Sequence, residues 1–142
     1  GLLSALHKYI GANGSIVAYN KSFEENVLKQ LALVFPDYEE WISSLMPRFI
    51  DLLTPFRNFC YYNPIQQGSA SLKKVLPAVT GISYDGMSIA KGDDASLAYL
   101  EIAFGNIDDV KKEEIRRNLL DYCGLDTEAM ALILGGLYKI IG

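Results

Sequence analysis

Histidine and cysteine are scarce in this sequence of 142 residues. The single histidine, His7, excludes any metal site built on two imidazoles and leaves only one candidate partner for a serine or cysteine nucleophile. Cys60 and Cys123 lie far apart and form no C-x-x-C pattern, so neither a zinc motif nor a dithiol redox motif is present. Because small secreted domains usually carry more disulfides, this cysteine usage predicts a cytoplasmic location.

Positive charge and long apolar runs are also in short supply. The chain has 13 Lys and Arg against 17 Asp and Glu, so its net charge of −4 lacks the basic footprint of a dedicated nucleic-acid binder. The longest apolar run, residues 129–138, is far shorter than the roughly 20 residues of a membrane helix, and no membrane association is expected. Half of the residues are hydrophobic, which predicts one compact unit over residues 1–142.

The spacing of apolar and turn residues predicts a mostly helical α/β chain with about two short strands. Residues 15–19 form a continuous apolar run after a glycine-rich turn, which predicts a buried strand, and residues 48–53 predict a second one. The sequence from Ser22 to Glu25 has a capping-box pattern, which predicts the start of a helix. Residues 72–76 are expected to form a short helix that ends at Pro77.

Helical spacing is strongest in the last third of the chain, where it reaches Tyr122 and Asp126. If one helix continues through Gly124, these two residues share a face, with their Cβ atoms roughly 5–6 Å apart. If Gly124 ends the helix instead, Asp126 would cap the next one and the pair would separate. The sequence leaves both arrangements open.

Carboxylates paired with a phenol can serve metal-dependent chemistry. Hard cations such as Mg²⁺ prefer oxygen ligands, so the scarcity of histidine does not count against it. In two-metal phosphodiester hydrolysis, ions ~3.5–4 Å apart stabilise the attacking and leaving oxygens. The same residues also have ordinary structural interpretations: Glu24 as a first-turn helix acid, Tyr122 as a core residue and Asp51 as a turn residue.

Two short motifs resemble those of the DEDD 3′–5′ exonucleases, which have the ribonuclease H-like fold. The run N-x-x-F-E beginning at Asn20 is similar to motif II, and Y-x-x-x-D beginning at Tyr122 is similar to motif III of the tyrosine-type subgroup. Together with R-F-I-D-L from Arg48, Y-N-P-I-Q-Q-G-S from Tyr62 and L-K-K-V-L-P from Leu72, they resemble a bacterial domain family of unknown function within that superfamily.

The resemblance implies a set of functional residues and a cofactor. Glu24 and Asp126 would be metal ligands, Tyr122 would orient the attacking water, and Asn20 and Asp51 would support the site. Mg²⁺ or Mn²⁺ would be the cofactor of the intact domain, and nucleic-acid ends would be its substrate.

The chain also departs from the family pattern. Glu24 stands where the family usually has Asp, and motif I, an Asp-x-Glu on the first strand, is absent. The one such spelling, Asp37-x-Glu39, lies downstream of motif II. We therefore expect an incomplete ribonuclease H-like domain, the C-terminal portion of a larger exonuclease-like unit. Alone it should be inactive and bind no metal.

Two further expectations concern partners. The first three strands of the intact fold would be absent from this chain, which would leave a sheet edge open. Through that edge the chain would self-associate or pair with the remainder of the parent protein. The alternative function is a non-catalytic interaction or scaffold module that keeps the ribonuclease H-like fold.

Overall fold

The computed structural model describes residues 1–89 and 92–142. Backbone contacts divide the chain into two compact units, Gly1–Tyr62 and Asn63–Gly142, where the sequence predicts a single one. Each unit has its own secondary structure and its own buried residues. That residues 1–142 act as one domain stays a prediction.

The first unit is a helical layer around a pair of parallel strands. Its elements are α1 (Leu2–Tyr9), β1 (Ile16–Ala18), α2 (Lys21–Val34), α3 (Glu39–Leu45), β2 (Phe49–Asp51) and α4 (Thr54–Arg57), with 3₁₀ turns at Pro36–Tyr38 and Met46–Arg48. Ile16 lies opposite Phe49 and Ala18 opposite Asp51. Both predicted strands are confirmed, each shorter than the sequence predicted, and with the surrounding helices they make this unit mixed α/β.

The connection between the strands determines which ends meet. Two parallel neighbours require a crossover, and α2 and α3 provide it. Together with α1, these helices pack on the strands, and the shared core consists of the buried side chains of Leu3, Ala18, Leu28, Ile42, Leu45 and Phe49. As a result, the residues that follow β1 and those that end β2 lie at the same edge of the sheet.

The start of α2 differs from the capping-box prediction. The helix begins at Lys21, so the residue at its N-cap is Asn20 and not Ser22. Asn20 has left-handed backbone angles (φ 67°, ψ 60°), which asparagine tolerates better than most residues. The Ser22 hydroxyl lies 3.1 Å from Asn20 Oδ1 and donates to it. The sharp exit from the strand therefore shifts the helix start two residues ahead of the pattern.

The second unit is a helical bundle. It comprises a 3₁₀ turn at Pro64–Gln66 and the helices α5 (Leu72–Thr80), α6 (Gly92–Phe104) and α7 (Asp109–Ile141). Both α5 and α6 pack on α7, which runs without a break through Gly124. The side chains of Val75, Leu76, Ala129 and Ile133 are fully or almost fully buried there.

The sequence predicted that α5 ends at Pro77, and this prediction is wrong. The helix continues to Thr80 and ends at Gly81, whose φ of 78° is left-handed. Proline lacks the N–H that would bond one turn back. Burial of Val75 and Leu76 just before it compensates, because tertiary packing supplies most of the stability of a short helix.

Candidate functional site

The carboxyl ends of the two parallel strands bring Asn20 and Asp51 together. Asp51 Oδ1 accepts hydrogen bonds from the backbone N–H groups of Asn20, at 2.8 Å, and Leu53, at 3.0 Å. One carboxylate oxygen thus joins the exit of β1 to the exit of β2. Ligands of open α/β sheets commonly bind at this edge. The supporting role of Asn20 and Asp51 stays a prediction.

Glu24 lies one turn into α2, beside the same edge. Burial raises the pKa of its carboxyl above the ordinary value; a hydrogen bond to its own backbone opposes the rise, and the charge of Asp51 adds to it. Its Oε2 atom is buried and has no hydrogen-bond partner in the part of the chain that the structure describes. A buried carboxylate oxygen without a donor costs free energy, which a bound cation would recover.

Two residues that the motifs did not indicate also belong to this cluster. Burial raises the pKa of the Tyr19 phenol well above its usual range; the charge of Asp51 adds to the rise, and that of Arg57 opposes it. Tyr19 is therefore a neutral hydrogen-bonding group at neutral pH, with the Arg57 guanidinium near it. Tyr19 directly follows β1, and Arg57 ends the helix after β2. Adjacency to a strand end was the signal that could have found Tyr19.

In the second unit, Tyr122 and Asp126 share a face of α7, which confirms the unbroken-helix alternative. A third residue joins them, since the Tyr84 hydroxyl donates a 2.6 Å hydrogen bond to Asp126 Oδ1. The rings of Tyr84 and Tyr122 lie 6.4 Å apart, and Lys73 Nζ lies 5.8 Å from the centre of each. Only 6% of Tyr84 and 9% of Tyr122 is exposed. Tyr84 follows a glycine-rich turn, where no spacing rule predicts a buried contact.

Alkaline pH tests the environment of Tyr122. Burial, followed by hydrogen bonding to Asp126, raises the pKa of Tyr122 to about 12. Above pH 10 the unfolded chain releases this proton while the folded chain keeps it, so the free energy of unfolding falls as pH rises towards 12. We expect Tyr122→Phe to reduce that slope in urea denaturation series between pH 9 and pH 11.5. Equal slopes for the two proteins would contradict the assignment.

The carboxylates fit only a minimal metal site. Among residues 1–89 and 92–142, no group of three or more His, Cys, Asp and Glu side chains is placed to hold a metal ion. Magnesium is often held by one or two carboxylates, with waters and substrate phosphates completing its shell. Glu24, with its unpartnered buried oxygen, and Asp51 fit that pattern in the first unit.

Fold and side chains thus define a mostly helical α/β protein with acidic side chains at a parallel strand edge. Residues 1–71, half of the chain, match the family described as Domain of unknown function (DUF2779), and the chain belongs to that family. This agrees with the part of the sequence-based resemblance that pointed to a domain of unknown function.

Three mycoplasma-group proteins are similar to the chain. "Uncharacterized protein MG366 homolog" of Mycoplasma pneumoniae is 30% identical over 131 residues, covering 84% of this chain and 20% of its own length. "Uncharacterized protein MG366" of Mycoplasma genitalium is 27% identical over 145 residues, covering 94% of this chain and 22% of its own length. "Uncharacterized protein UU173" of Ureaplasma parvum is 26% identical over 157 residues, covering 99% of this chain and 22% of its own length.

The chain therefore spans about a fifth of the length of these relatives. No solved structure matches it. Within the described residues, none of the helices combines the length and the apolar character needed to cross a membrane.

Proposed function

We propose that the chain is part of a metal-dependent, 3′–5′ exonuclease-like domain that hydrolyses phosphodiester bonds at nucleic-acid ends. The domain would be an incomplete ribonuclease H-like fold in a cytoplasmic bacterial protein. The observation that carries the proposal is the buried, unpartnered Oε2 of Glu24 at the strand edge where Asp51 also lies. Titratable groups whose pKa is shifted by burial cluster at functional sites, which supports this assignment.

The residues divide the work by their chemistry. In the first unit, Glu24 with Asp51 in support would hold Mg²⁺ or Mn²⁺. In the second unit, the motif resemblance implies a ligand role for Asp126. The ion, when bound, stabilises negative charge on the phosphate and lowers the pKa of a bound water. Tyr122, whose phenol is hydrogen-bonded to Asp126, would accept a hydrogen bond from the attacking water and so orient it. Asn20 fixes Asp51 through its backbone N–H.

The test compares this chain with the longer protein that carries it, using a labelled single-stranded oligonucleotide and Mn²⁺. We expect the longer protein to shorten the oligonucleotide from its 3′ end and the 142-residue chain to leave it intact. Glu24→Gln and Asp126→Asn keep the side-chain shape but lose the charge, so each should lower the rate by about 100-fold or more. Glu40→Gln, an exposed glutamate outside the motifs, is the matched control.

Wild-type rates in Glu24→Gln and Asp126→Asn would contradict the proposal, as would full activity with the metal chelated.

The same preparations test self-association. Light scattering over a concentration series should show dimers or larger species of the isolated chain, and a monomer at every concentration would contradict pairing through the sheet edge.

One observation favours the alternative, a non-catalytic interaction or scaffold module. The Tyr84 hydroxyl, at 2.6 Å, already engages an oxygen of Asp126, which makes this carboxylate part of a packed polar contact. A module of this kind would bind partners but neither cleave the oligonucleotide nor bind Mn²⁺. Calorimetric titration of the longer protein with Mn²⁺ separates the two functions, since only the exonuclease should release heat that Glu24→Gln abolishes.

A further inference from the structure

The end of α4 and the segment after it carry four aromatic residues that differ in exposure. Phe56 is buried, and its ring packs edge-on against that of Tyr61, with the centres 5.7 Å apart. Phe59 and Tyr62 instead have 67% and 46% of their surface exposed, and their rings lie 5.8 Å apart. We call Phe59 and Tyr62 the aromatic platform. The inward pair belongs to the unit's packing, whereas both residues of the platform keep a large exposed fraction.

The backbone of Phe59 makes this exposure costly. Its φ of 55° is left-handed, a region in which a bulky residue is an outlier and loses of order 1–3 kcal/mol. The N–H groups of Cys60 and Tyr61 both donate to the Pro55 carbonyl, at 2.8 and 3.3 Å, and hold the turn in this shape. Glycine would fit the turn at lower cost. The phenylalanine ring therefore contributes something other than the turn itself.

A positive charge stands at the start of the same segment. Arg57 ends α4, two residues before Phe59. It is close enough to the strand edge with Asp51 for its charge to lower the pKa of the Tyr19 phenol there. Guanidinium groups recognise phosphates through paired N–H donors, and exposed aromatic faces stack on bases of any identity. Residues 57–62 therefore carry both kinds of group that bind a single strand, a cation for phosphate and exposed rings for bases.

We propose that the aromatic platform stacks on an unpaired base of a single-stranded nucleic-acid end, while Arg57 binds the adjacent phosphate. The inference rests on the proposed function for the substrate class, and it adds the surface that holds the strand. It selects single-stranded ends over duplexes, because a paired base inside a helix has no free face to offer.

Binding without cleavage tests the platform directly. The probe is a fluorescently labelled single-stranded oligonucleotide, titrated with the 142-residue chain at low salt in EDTA and followed by anisotropy. Stacking contributes ~1–3 kcal/mol per base, so Phe59→Gly and Tyr62→Ala should each weaken affinity at least about fivefold. Arg57→Gln should weaken it and flatten its dependence on salt. A blunt duplex of the same sequence should bind more weakly than the single strand.

Phe59→Gly also separates recognition from folding, since glycine suits the left-handed turn. Its thermal midpoint should equal or exceed that of the wild type while its affinity falls. Tyr9→Ala is the matched control, because Tyr9 is an exposed aromatic in the same unit with Lys8 Nζ 5.8 Å from its ring centre. Its affinity should equal that of the wild type.

Photo-crosslinking of an oligonucleotide with 5-bromouridine at its 3′ end should label residues 57–62. No binding by the wild type, equal losses in Tyr9→Ala and Phe59→Gly, or labelling only elsewhere would overturn the platform. The exonuclease proposal is judged separately by Mn²⁺-dependent cleavage. Platform-dependent binding without any cleavage would support the platform and reject the nuclease. Cleavage that Phe59→Gly leaves unchanged would support the nuclease and reject the platform.

Discussion

Replacing Asp126 by alanine is expected to lower the free energy of unfolding by about 2–4 kcal/mol. Its Oδ1 accepts the Tyr84 hydroxyl at 2.6 Å, and it also interacts with the Tyr122 hydroxyl. Both phenols are buried, so removing the carboxylate leaves two polar groups without their partner. Hydrogen bonds to a charged group are the stronger kind, which is why the loss should exceed that of a surface substitution. Urea denaturation followed by circular dichroism measures it.

Asp121→Ala is the matched control for this variant. Asp121 lies on the same helix, is exposed, and undergoes the same chemical change. Alanine is the better helix former by up to about 0.7 kcal/mol, so Asp121→Ala should leave stability unchanged or raise it slightly. Asp126→Asn, which keeps an acceptor for Tyr84, should lose less than Asp126→Ala. If Asp126→Ala were as stable as Asp121→Ala, the Tyr84 contact would contribute nothing to the fold.

The sequence was most informative where a short segment determines its own structure. Apolar runs predicted β1 and β2, and helical spacing offered an unbroken helix through Tyr122 and Asp126 as one of two arrangements. Once the two strands are parallel, the meeting of Asn20 and Asp51 follows, because carboxyl ends of parallel strands share an edge. The strands and the helix depend on side-chain periodicity, which is visible in one sequence, whereas the parallel direction of the strands is known from the structure.

The remainder depends on contacts between distant segments. Tyr84 and Asp126 are 42 positions apart, and no local pattern indicates that a tyrosine after a glycine-rich turn will bind a helical carboxylate. The continuation of α5 through Pro77 depends on burial of Val75 and Leu76, which local propensity does not contain. Phe59 is similar, since a left-handed phenylalanine contradicts the usual preference and is revealed only by the backbone.

The adjacent glycines Gly135 and Gly136 are expected to respond in opposite directions to alanine. A Cβ at Gly136 would lie closer to Val79 Cγ1 than van der Waals contact allows, because α7 approaches α5 at this point. A β-branched side chain within a helix has one strongly preferred rotamer, so Val79 cannot turn aside cheaply. A Cβ at Gly135 would meet no atom within 4 Å. The two residues share a helix interior, so the intrinsic gain from glycine to alanine is common to both.

That gain is about 1 kcal/mol, and overpacking at Gly136 costs about 1–3 kcal/mol. Gly135→Ala should therefore raise the free energy of unfolding. The free energy of unfolding of Gly136→Ala should be lower than that of Gly135→Ala by about 1–3 kcal/mol. Urea denaturation of both variants under one set of conditions measures the difference directly. Adding Val79→Ala to Gly136→Ala should return most of the loss if the clash is its cause. Equal stabilities of Gly135→Ala and Gly136→Ala would show that α5 and α7 are not in close contact at Gly136.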